Sequence, residues 1–382
     1  MRHHNSVFHD LLKHVPWGVF DRLVEEHGSD HRIRRLSTKD QFIALLYGQL
    51  SGAVSLREIT GGLASHQNRL YHLGSRPVSR STLADANAKR SSAVFSRLFT
   101  QLVAQAGRGV RRKIGEATYL IDSTGLRLSG MGSEWAHFSH KACGAKVHVI
   151  YDANTEQPVY AAVTAARIND ITAAQAMPIE ANATYVFDLG YYDYAWWASL
   201  DQAGCRIVTR FKSNTPLRET VERAVPKEST LLSDRTGLLP QRRARNRHNP
   251  FTKPVREVRI RTESGKVLRL LTNDLEAPPE KIADLYKRRW AIELFFRWIK
   301  QTLKVRHFLG NSENAVRTQI AIALIAYLLL RLAQATQDLV KSPLAFARLV
   351  RTNLMHRKPI DRLLDPGPKP NNHCKQIELS WT

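Results

Sequence analysis

The sequence has little cysteine and no long apolar segment. Its three cysteines, Cys143, Cys205 and Cys374, are far apart and form no C-x-x-C pair. That spacing argues against a disulfide framework or a structural zinc site and fits a reducing cytoplasm. The histidine-rich N-terminus lacks the apolar core of a secretory signal. The longest apolar run, Ile320–Leu330, is too short to span a bilayer and predicts a buried helix of a soluble protein.

Acidic residues are scarce as well. Against 34 Asp and Glu the chain carries 57 Lys and Arg, which leaves a formal net charge of +23. An excess of this size, spread along the chain, indicates a nucleic-acid partner more than a solubility role. A generically basic protein of a ribosome or a membrane surface is the alternative. With 382 residues and 43% hydrophobic content, the chain can form two or three domains with proper cores.

Hydrophobic periodicity predicts five segments along the chain. Residues 1–110 have helical patterns and are predicted to form an all-α DNA-binding domain. Residues 111–211 alternate β-branched runs with helical pieces, which predicts a mixed sheet covered by helices. Residues 212–278 are basic and turn-rich, with two strands in a probable hairpin pattern. Residues 279–350 carry two helices, and residues 351–382 have the Pro, Lys and Asn content of a tail.

The N-terminal segment contains a pattern typical of helix-turn-helix DNA binding. Ser37 and Asp40 predict a capping-box start for one of its helices. A later helix and turn are followed by a polar helix that begins near Ser79. Arg80 and Lys89 on this helix suit phosphate contact. Four further side chains suit phosphate or base-edge contact: Ser81, Thr82, Asn87 and Arg90. A surface helix of a small all-α bundle is the alternative.

Two aspartates follow apolar strand-like runs in the second segment. Asp122 ends ATYLID and Asp188 ends ATYVFD, and turn residues follow each. Ligands at the ends of neighbouring strands are a common way for an α/β sheet to assemble a site. Asp152 suits a hairpin turn instead, and Asp170 and Asp193 suit helix N-caps. The alternative for the first two aspartates is that each caps a turn.

A charged stripe on one predicted helix completes the candidate site. On a continuous helix Tyr286, Arg289, Glu293 and Lys300 lie within an arc of about 60°. Two further cations fall on the same face: Arg297 and Lys304. An ordinary ion-pair face would have more balanced charge, so the excess of cations favours phosphate as the partner.

Three carboxylates in one place would repel one another and raise one another's pKa values. Two divalent ions remove that conflict, and Mg²⁺ prefers hard oxygen ligands and phosphate. We therefore predict that Asp122, Asp188 and Glu293 hold two Mg²⁺ ions, with Mn²⁺ as a substitute, and catalyse in-line phosphoryl substitution. The nucleophile is water or a DNA 3′-OH, so one site supports both strand cutting and strand joining.

The chain resembles the DDE transposases of insertion-sequence family four. Asp122, Asp188 and Glu293 match their Asp-Asp-Glu triad, and residues 286–300 match the Y-x2-R-x3-E-x6-K signature at all four positions. The similarity covers most of the chain, including FLGNSENAVRTQIAIALIAYLLL downstream of the signature.

The resemblance implies an α/β fold in which an RNase H-like mixed sheet is flanked by helices. A mostly β insertion at 212–278 would interrupt this core, and the all-α domain would precede it. The resemblance also implies that Tyr286, Arg289 and Lys300 contact phosphates near the cleaved transposon end. Relatives can flip a base near the transposon end and stack it on an aromatic residue of the insertion, and Phe251 is the only aromatic residue within 212–278 of this chain. Three tryptophans are predicted to be core residues instead: Trp196, Trp197 and Trp290.

The leading hypothesis is a cut-and-paste transposase. It would bind the terminal inverted repeats of an insertion sequence, cut the DNA there, and join the 3′ ends to target DNA. Because two ends must be held together, we expect a homodimer in a synaptic complex on double-stranded DNA, in the bacterial cytoplasm at the nucleoid. One alternative is a non-catalytic DNA-binding protein with a decayed core. The other is a host nuclease or resolvase that cuts and never joins.

Overall fold

The computed structural model of the chain describes residues 5–111, 116–128, 134–139, 142–226, 230–241, 248–302, 308–337 and 340–364. Its helices are α1 (Val7–Leu12), α2 (Trp17–Glu26), α3 (Thr38–Ser51), α4 (Leu56–Ser65), α5 (Arg80–Lys89), α6 (Ala93–Arg111), α7 (Asp170–Gln175), α8 (Tyr194–Gln202), α9 (Pro279–Arg288), α10 (Trp290–Thr302), α11 (Glu313–Gln334) and α12 (Pro343–Asn353). Its strands are β1 (Thr118–Leu128), β2 (His137–Ser139), β3 (Ala142–Asp152), β4 (Gln157–Ala165), β5 (Thr184–Phe187), β6 (Arg206–Arg210), β7 (Arg218–Arg223), β8 (Leu231–Leu238), β9 (Val255–Arg261) and β10 (Val267–Thr272). Lys304 lies outside the described residues, as do residues 365–382 of the predicted tail, which include Cys374.

Helices α1 to α6 pack on one apolar core, in which the rings of Phe42 and Phe95 stack with centroids 6.1 Å apart. The predicted capping box at the start of α3 is confirmed, since Ser37 and Asp40 each accept the other's backbone amide. The polar helix α5 begins where the sequence predicts, because the Ser79 hydroxyl oxygen accepts a first-turn amide. The N-terminal segment is therefore all-α in its described residues.

The strands form one ten-stranded mixed sheet in the order β2-β3-β1-β5-β6-β10-β9-β8-β7, with β4 paired to β3. Strands β1, β5 and β6 are parallel neighbours. The predicted mixed sheet covered by helices is confirmed, although the short strand β2 was not predicted. The prediction that the first strand ends at Asp122 is wrong. Strand β1 continues to Leu128 because its Ser–Thr–Gly stretch pairs with β3 residue by residue.

The two faces of the sheet belong to different apolar clusters. Leu120 on β1 and Val186 on β5 pack on the side of α10 and α11. Tyr119 and Phe187, one position along the same strands, pack on the side of α8. Because side chains alternate along a strand, every second residue from Leu120 and Val186 faces α10.

The segment 212–278 contains four strands, of which the sequence predicted two, β9 and β10. Strands β7 (RETVER) and β8 (LLSDRTGL) lack an alternating apolar pattern, and β7 is exposed over most of its length. They pair through backbone hydrogen bonds that charged residues can make as well as apolar ones. Strand β10 also pairs with β6, so this segment extends the central sheet.

Buried ion pairs join the strands of this segment. Arg256 on β9 is 1% exposed and donates from Nε and Nη2 to the Asp234 carboxylate on β8, at 2.8 and 2.6 Å. Burial alone would raise the pKa of the neighbouring Glu257 carboxyl, but arginine hydrogen bonds lower it to about 2. The arginines that donate to Glu257 are Arg235, Arg259 and Arg269.

Replacement of Asp234 is expected to destabilise the protein strongly. Asp234→Ala leaves the Arg256 guanidinium buried without its carboxylate partner, which costs about 3–5 kcal/mol. Urea unfolding measures the loss as a lower midpoint. Glu222→Ala on β7 removes an exposed carboxylate and serves as the control, with a change within about 0.5 kcal/mol. Equal midpoints for the two variants would contradict the assigned role of the buried pair.

The apolar run Ile320–Leu330 lies in α11, as a buried helix, which confirms the sequence prediction. Among the described residues, α11 alone has the length and hydropathy of a membrane span, and 83% of its most apolar window is buried inside the protein. It packs against α3 and α6 on one side and the sheet on the other. It is therefore the central core helix of this fold.

The predicted helix that carries the charged stripe is divided in two. Helix α9 ends at Arg288 and α10 begins at Trp290, with Arg289 between them in helical backbone angles. At this point the amides of Arg289 and Ile292 donate to carbonyls three residues back, at 3.1 and 3.2 Å. Because this turn is tighter than an α-helical turn, the part of the stripe on α9 is rotated about the helix axis relative to the part on α10.

Candidate active site

Asp122 and Asp188 occupy equivalent positions on adjacent parallel strands. Strands β1 and β5 are paired at Leu120–Val186, and each aspartate comes two residues later, on the face towards α10. Asp122 Oδ1 accepts the Ser123 amide at 2.7 Å. Asp188 follows the last residue of β5. The structure therefore brings these two predicted site residues together.

Glu293 reaches this face because α10 packs on it. The apolar stripe of α10 is buried against the sheet and α11: Ile292, Phe295, Phe296 and Ile299. Glu293 lies in the first turn of the helix, beside this stripe, with its side chain 31% exposed. The carboxylate thus lies at the rim of the core and not within it.

Arg289 connects Glu293 to Asp122. Its Nη1 lies 3.4 Å from Asp122 Oδ2, and its Nη2 lies 2.5 Å from Glu293 Oε1. The guanidinium is 16% exposed, so these contacts are poorly screened by solvent. One cation therefore holds carboxylates from β1 and from α10 in one group.

Burial raises the pKa of the Asp122 carboxyl to about 6. The nearby negative charges of Asp188 and Glu293 raise it further, whereas the Ser123 amide and the Arg289 guanidinium lower it. An aspartate whose titration depends on two other carboxylates is part of an anionic cluster. The cluster contains the three carboxylates that the sequence analysis selected.

Tyr286 lies at the same end of the site. The centre of its ring is 5.7 Å from the Arg289 guanidinium carbon. Burial raises the pKa of the Tyr286 hydroxyl, and the nearby Arg289 and Arg210 oppose the shift while Asp188 adds to it. Tyr286 is therefore close to both the bridging arginine and the second aspartate. Arg210 was not among the predicted site residues.

Lys300 and Arg297 lie further along α10. Lys300 is half-buried, seven residues after Glu293. Arg297 is exposed, and its guanidinium carbon lies 5.9 Å from the centre of the Trp290 ring. Both cations extend the charged face of α10 away from the carboxylates.

Arg80 and Lys89 lie on α5 in the N-terminal helices, not at the carboxylates. Both side chains are exposed. Two other predicted contact residues of α5 are structural instead. Asn87 is 4% exposed and accepts from Gln41 Nε2 at 2.9 Å. Arg90 donates to Gln41 Oε1 at 3.2 Å and to the Leu36 carbonyl.

Asp170 was predicted to be a helix N-cap, and this prediction is wrong. Asn169 holds that position. The Asp170 carboxylate instead accepts from Ser123 Oγ at 2.7 Å and from Lys146 Nζ at 3.1 Å, next to Asp122. The turn role of Asp152 and the N-cap role of Asp193 are confirmed.

The aromatic residues separate into core and surface. Phe251, the single aromatic of segment 212–278, is 4% exposed and lies in an apolar cluster. Trp196 and Trp197 are core residues, as predicted. The prediction for Trp290 is wrong, since this side chain is 52% exposed at the start of α10, one residue after Arg289.

The chemistry of the site fits hard divalent cations. All three candidate ligands are carboxylates, the oxygen ligands that such cations prefer, and the charges of Asp188 and Glu293 add to the rise that burial causes in the pKa of Asp122. Within the described residues, no three acidic, His or Cys side chains converge on one point, and the Arg289 guanidinium lies between Asp122 and Glu293. Occupancy therefore requires this guanidinium to move.

Comparison with known proteins identifies the family of the chain. A family model described as "Transposase DDE domain" matches residues 114–329, more than half of the chain, and a "Domain of unknown function (DUF4372)" matches residues 3–76. The putative transposase y4zB of Sinorhizobium fredii is 40% identical over 329 residues, 84% of this chain and 90% of that protein. The probable transposase for insertion sequence element IS5377 of Geobacillus stearothermophilus is 30% identical over 273 residues, 70% of this chain and 71% of that protein.

Among solved structures, a piggyBac transposase synaptic complex with hairpin DNA aligns with a TM-score of 0.45 and 11% identity. The alignment covers 95% of this chain and 81% of that chain. The family model and the two relatives carry the assignment. The chain belongs to the DDE transposase family.

Proposed function

We propose that this transposase cuts DNA at the terminal inverted repeats of its own insertion sequence and joins the 3′ ends to target DNA. Asp122, Asp188 and Glu293 are the proposed catalytic carboxylates. The observation that carries the proposal is the geometry of the three carboxylates: Arg289 contacts both Asp122 and Glu293, and Asp122 and Asp188 each lie two residues past the paired Leu120 and Val186. The parallel order β1-β5-β6 beside antiparallel β3 supports an RNase H-like core. The signature in residues 286–300 supports membership of insertion-sequence family four.

The three carboxylates would hold two Mg²⁺ ions, for which Mn²⁺ would substitute. Bound divalent cations would supply Lewis-acid polarisation of the scissile phosphate and neutralise charge on the attacking and leaving oxygens. The protein's own part is placement. Strands β1 and β5 bring the two aspartates side by side, each two residues past the last paired residues, and α10 brings Glu293 over them.

Tyr286, Arg289 and Lys300 are proposed to hold the DNA backbone beside the cut. In the DNA-free protein Arg289 already pairs with Asp122 and Glu293. A phosphate offers the same planar guanidinium an equivalent pair of oxygens. Transfer of Arg289 from carboxylate to phosphate would clear the space between Asp122 and Glu293 at the moment DNA arrives.

Each predicted segment of the chain has a proposed role in the transposase. Residues 1–110 would recognise the repeat through α5, and residues 111–211 and 279–350 would form the catalytic core. Residues 212–278 would be the β-rich insertion, and residues 351–382 a tail. Because two transposon ends are cut and joined together, a homodimer on DNA at the bacterial nucleoid is the proposed working assembly.

The proposal is tested with a linear DNA that carries the repeats flanking the coding region, together with a supercoiled target plasmid. We expect end cleavage and plasmid joining in Mg²⁺, and neither in EDTA. Binding without cleavage in Mg²⁺ would indicate a DNA-binding protein with an inactive core. Cleavage without joined products, detected by sequencing across plasmid junctions, would indicate a nuclease.

Salt dependence tests the role of α5. Arg80→Ala and Lys89→Ala should each weaken end binding and reduce the slope of log Kd against log salt by about 0.9. Fluorescence anisotropy over a salt series measures both quantities. Arg22→Ala on α2, an exposed arginine outside the proposed interface, is the control. Slopes equal to that of Arg22→Ala would exclude phosphate contacts by α5.

A further inference from the structure

We propose that Asp170 is a positioning residue that fixes the separation of Asp122 and Asp188. The inference rests on the proposed function in taking these two aspartates as the metal-holding pair. Asp170 itself would act through Ser123 and Gly190, which follow the two aspartates in sequence.

The backbone ladder between β1 and β5 stops before it reaches the two aspartates. Its last paired residues are Leu120 and Val186. Asp188 then leaves the strand as the N-cap of the short 3₁₀ turn Leu189–Tyr191. Interstrand hydrogen bonds therefore do not set the distance between the two carboxylates, and a separate tie is required.

Asp170 supplies the tie on the side of β1. Its Oδ1 accepts the Ser123 hydroxyl at 2.7 Å. Ser123 follows Asp122 in the strand and points to the opposite face of the sheet. With Ser123 held from behind, the peptide unit that it shares with Asp122 has a fixed orientation, and so does the direction of the Asp122 side chain.

The other oxygen of Asp170 faces the turn that carries Asp188. A Cβ placed on Gly190 would lie 3.0 Å from Asp188 Oδ1 and 3.5 Å from Asp170 Oδ2. The bare backbone of Gly190 thus lies between the two carboxylates, and its amide donates to Asp188 Oδ1 at 2.8 Å. Helix α7, which begins at Asp170, packs against this turn. Asp170 is therefore hydrogen-bonded to the residue that follows Asp122 and lies next to the turn that carries Asp188.

The charge of Asp170 is balanced on the side away from the catalytic carboxylates. Lys146 Nζ donates to Asp170 Oδ1 at 3.1 Å and to the Ile168 carbonyl at 3.1 Å. His148, fully buried behind it, forms a 2.8 Å hydrogen bond with Thr164, and its Nδ1 lies 3.7 Å from Asp170. Among the described residues this Nδ1 has no hydrogen-bond partner. A carboxylate paired in this way can support the site without adding a net negative charge to it.

The test compares variants that remove the tie with variants that keep it. Ser123→Ala and Asp170→Ala remove it. For both variants, the Mg²⁺ concentration that gives half of the maximal rise in Tm, or half of the maximal cleavage rate, should increase by about 10–100-fold. Ser123→Thr keeps the hydroxyl and Asp170→Asn keeps an oxygen acceptor, so both should stay within about threefold of the unmodified protein. The responses are the Mg²⁺-induced rise in Tm of the DNA-free protein and the rate of end cleavage.

Asp193→Ala is the matched control. It removes an N-cap carboxylate of α8 and should lower Tm without moving the Mg²⁺ midpoint. Midpoints for Ser123→Ala and Asp170→Ala equal to that of Asp193→Ala would overturn the inference. A Mg²⁺ midpoint for Asp170→Asn as high as that for Asp170→Ala would also overturn the inference. It would show that the charge of Asp170 is needed, as in a direct ligand of the metal ion. If Asp170→Ala does not fold, Ser123→Ala decides the question alone. Absence of cleavage and of any Mg²⁺ response in the unmodified protein would instead refute the proposed function.

Discussion

Glu293→Gln is expected to abolish end cleavage while end binding stays within about twofold. Gln keeps the size of the side chain and an oxygen near Arg289, but it removes the charge that a divalent cation needs in a ligand. Loss of one ligand of a two-cation site should reduce the cleavage rate by at least about 10³-fold, or about 4 kcal/mol of transition-state stabilisation. Single-turnover cleavage of labelled end DNA in Mg²⁺ measures the rate, and anisotropy measures the binding.

Glu280→Gln provides the control for this substitution. Glu280 lies in the first turn of α9, exposed and on the preceding helix, so its charge change should not alter the cleavage rate. Wild-type cleavage by Glu293→Gln would show that the third ligand is another carboxylate. Loss of binding together with cleavage would show that Glu293 shapes the DNA surface rather than the chemistry.

Asp122→Asn is expected to abolish cleavage and yet to stabilise the metal-free protein. The ordinary pKa of an aspartate carboxyl is 3.8, and that of Asp122 in the folded protein is about 6. Folding therefore favours the protonated form, and ionisation destabilises the fold. The penalty is absent below pH 4, grows as pH rises to about 6, and stays constant above that value. A pKa shift of this size lowers the free energy of unfolding by about 1–3 kcal/mol at neutral pH. Asn carries no charge and removes this loss.

Urea unfolding in EDTA tests the expected gain in stability. The midpoint of Asp122→Asn should exceed that of the unmodified protein at pH 7.5, and the two should converge near pH 4. Addition of Mg²⁺ should stabilise the unmodified protein and leave the variant unchanged, since a bound ion offsets the cost of a buried carboxylate charge at Asp122. A variant that is less stable at pH 7.5 would mean that the Arg289–Asp122 contact outweighs the repulsion.

The triad could be selected from sequence because its chemistry is local. Two apolar runs that stop at carboxylates predict ligands on adjacent strands, and Glu293 has a charge and spacing that an ordinary helix face does not explain. The four-position signature made the selection specific. The sequence also predicted where each carboxylate lies on its strand or helix, with one exception. Asp122 lies within β1 and not at its end.

The other differences arise from tertiary contacts that no local pattern encodes. The interruption at Arg289 occurs without Gly or Pro, so the helical pattern of residues 281–302 gives no sign of it. Strands β7 and β8 are held by pairing and by the buried Arg256–Asp234 contact, despite their charged sequences. Asp170 precedes a helical piece, as an N-cap does, but contacts on β1 and β3 determine its role.

The pairing of β10 with β6 gives the protein a mechanical property. Strand β6 is hydrogen-bonded to β5 on its other edge, and β5 leads directly into Asp188. Arg269 on β10 strengthens the junction, because it donates to the carbonyls of Lys212, Ser213 and Thr215 as well as to Glu257. If DNA exerts a force on segment 212–278, strands β6 and β5 would transmit it to Asp188, the second proposed catalytic aspartate. Tension in a bent or tightly held duplex would then reach the proposed site as a displacement along the sheet.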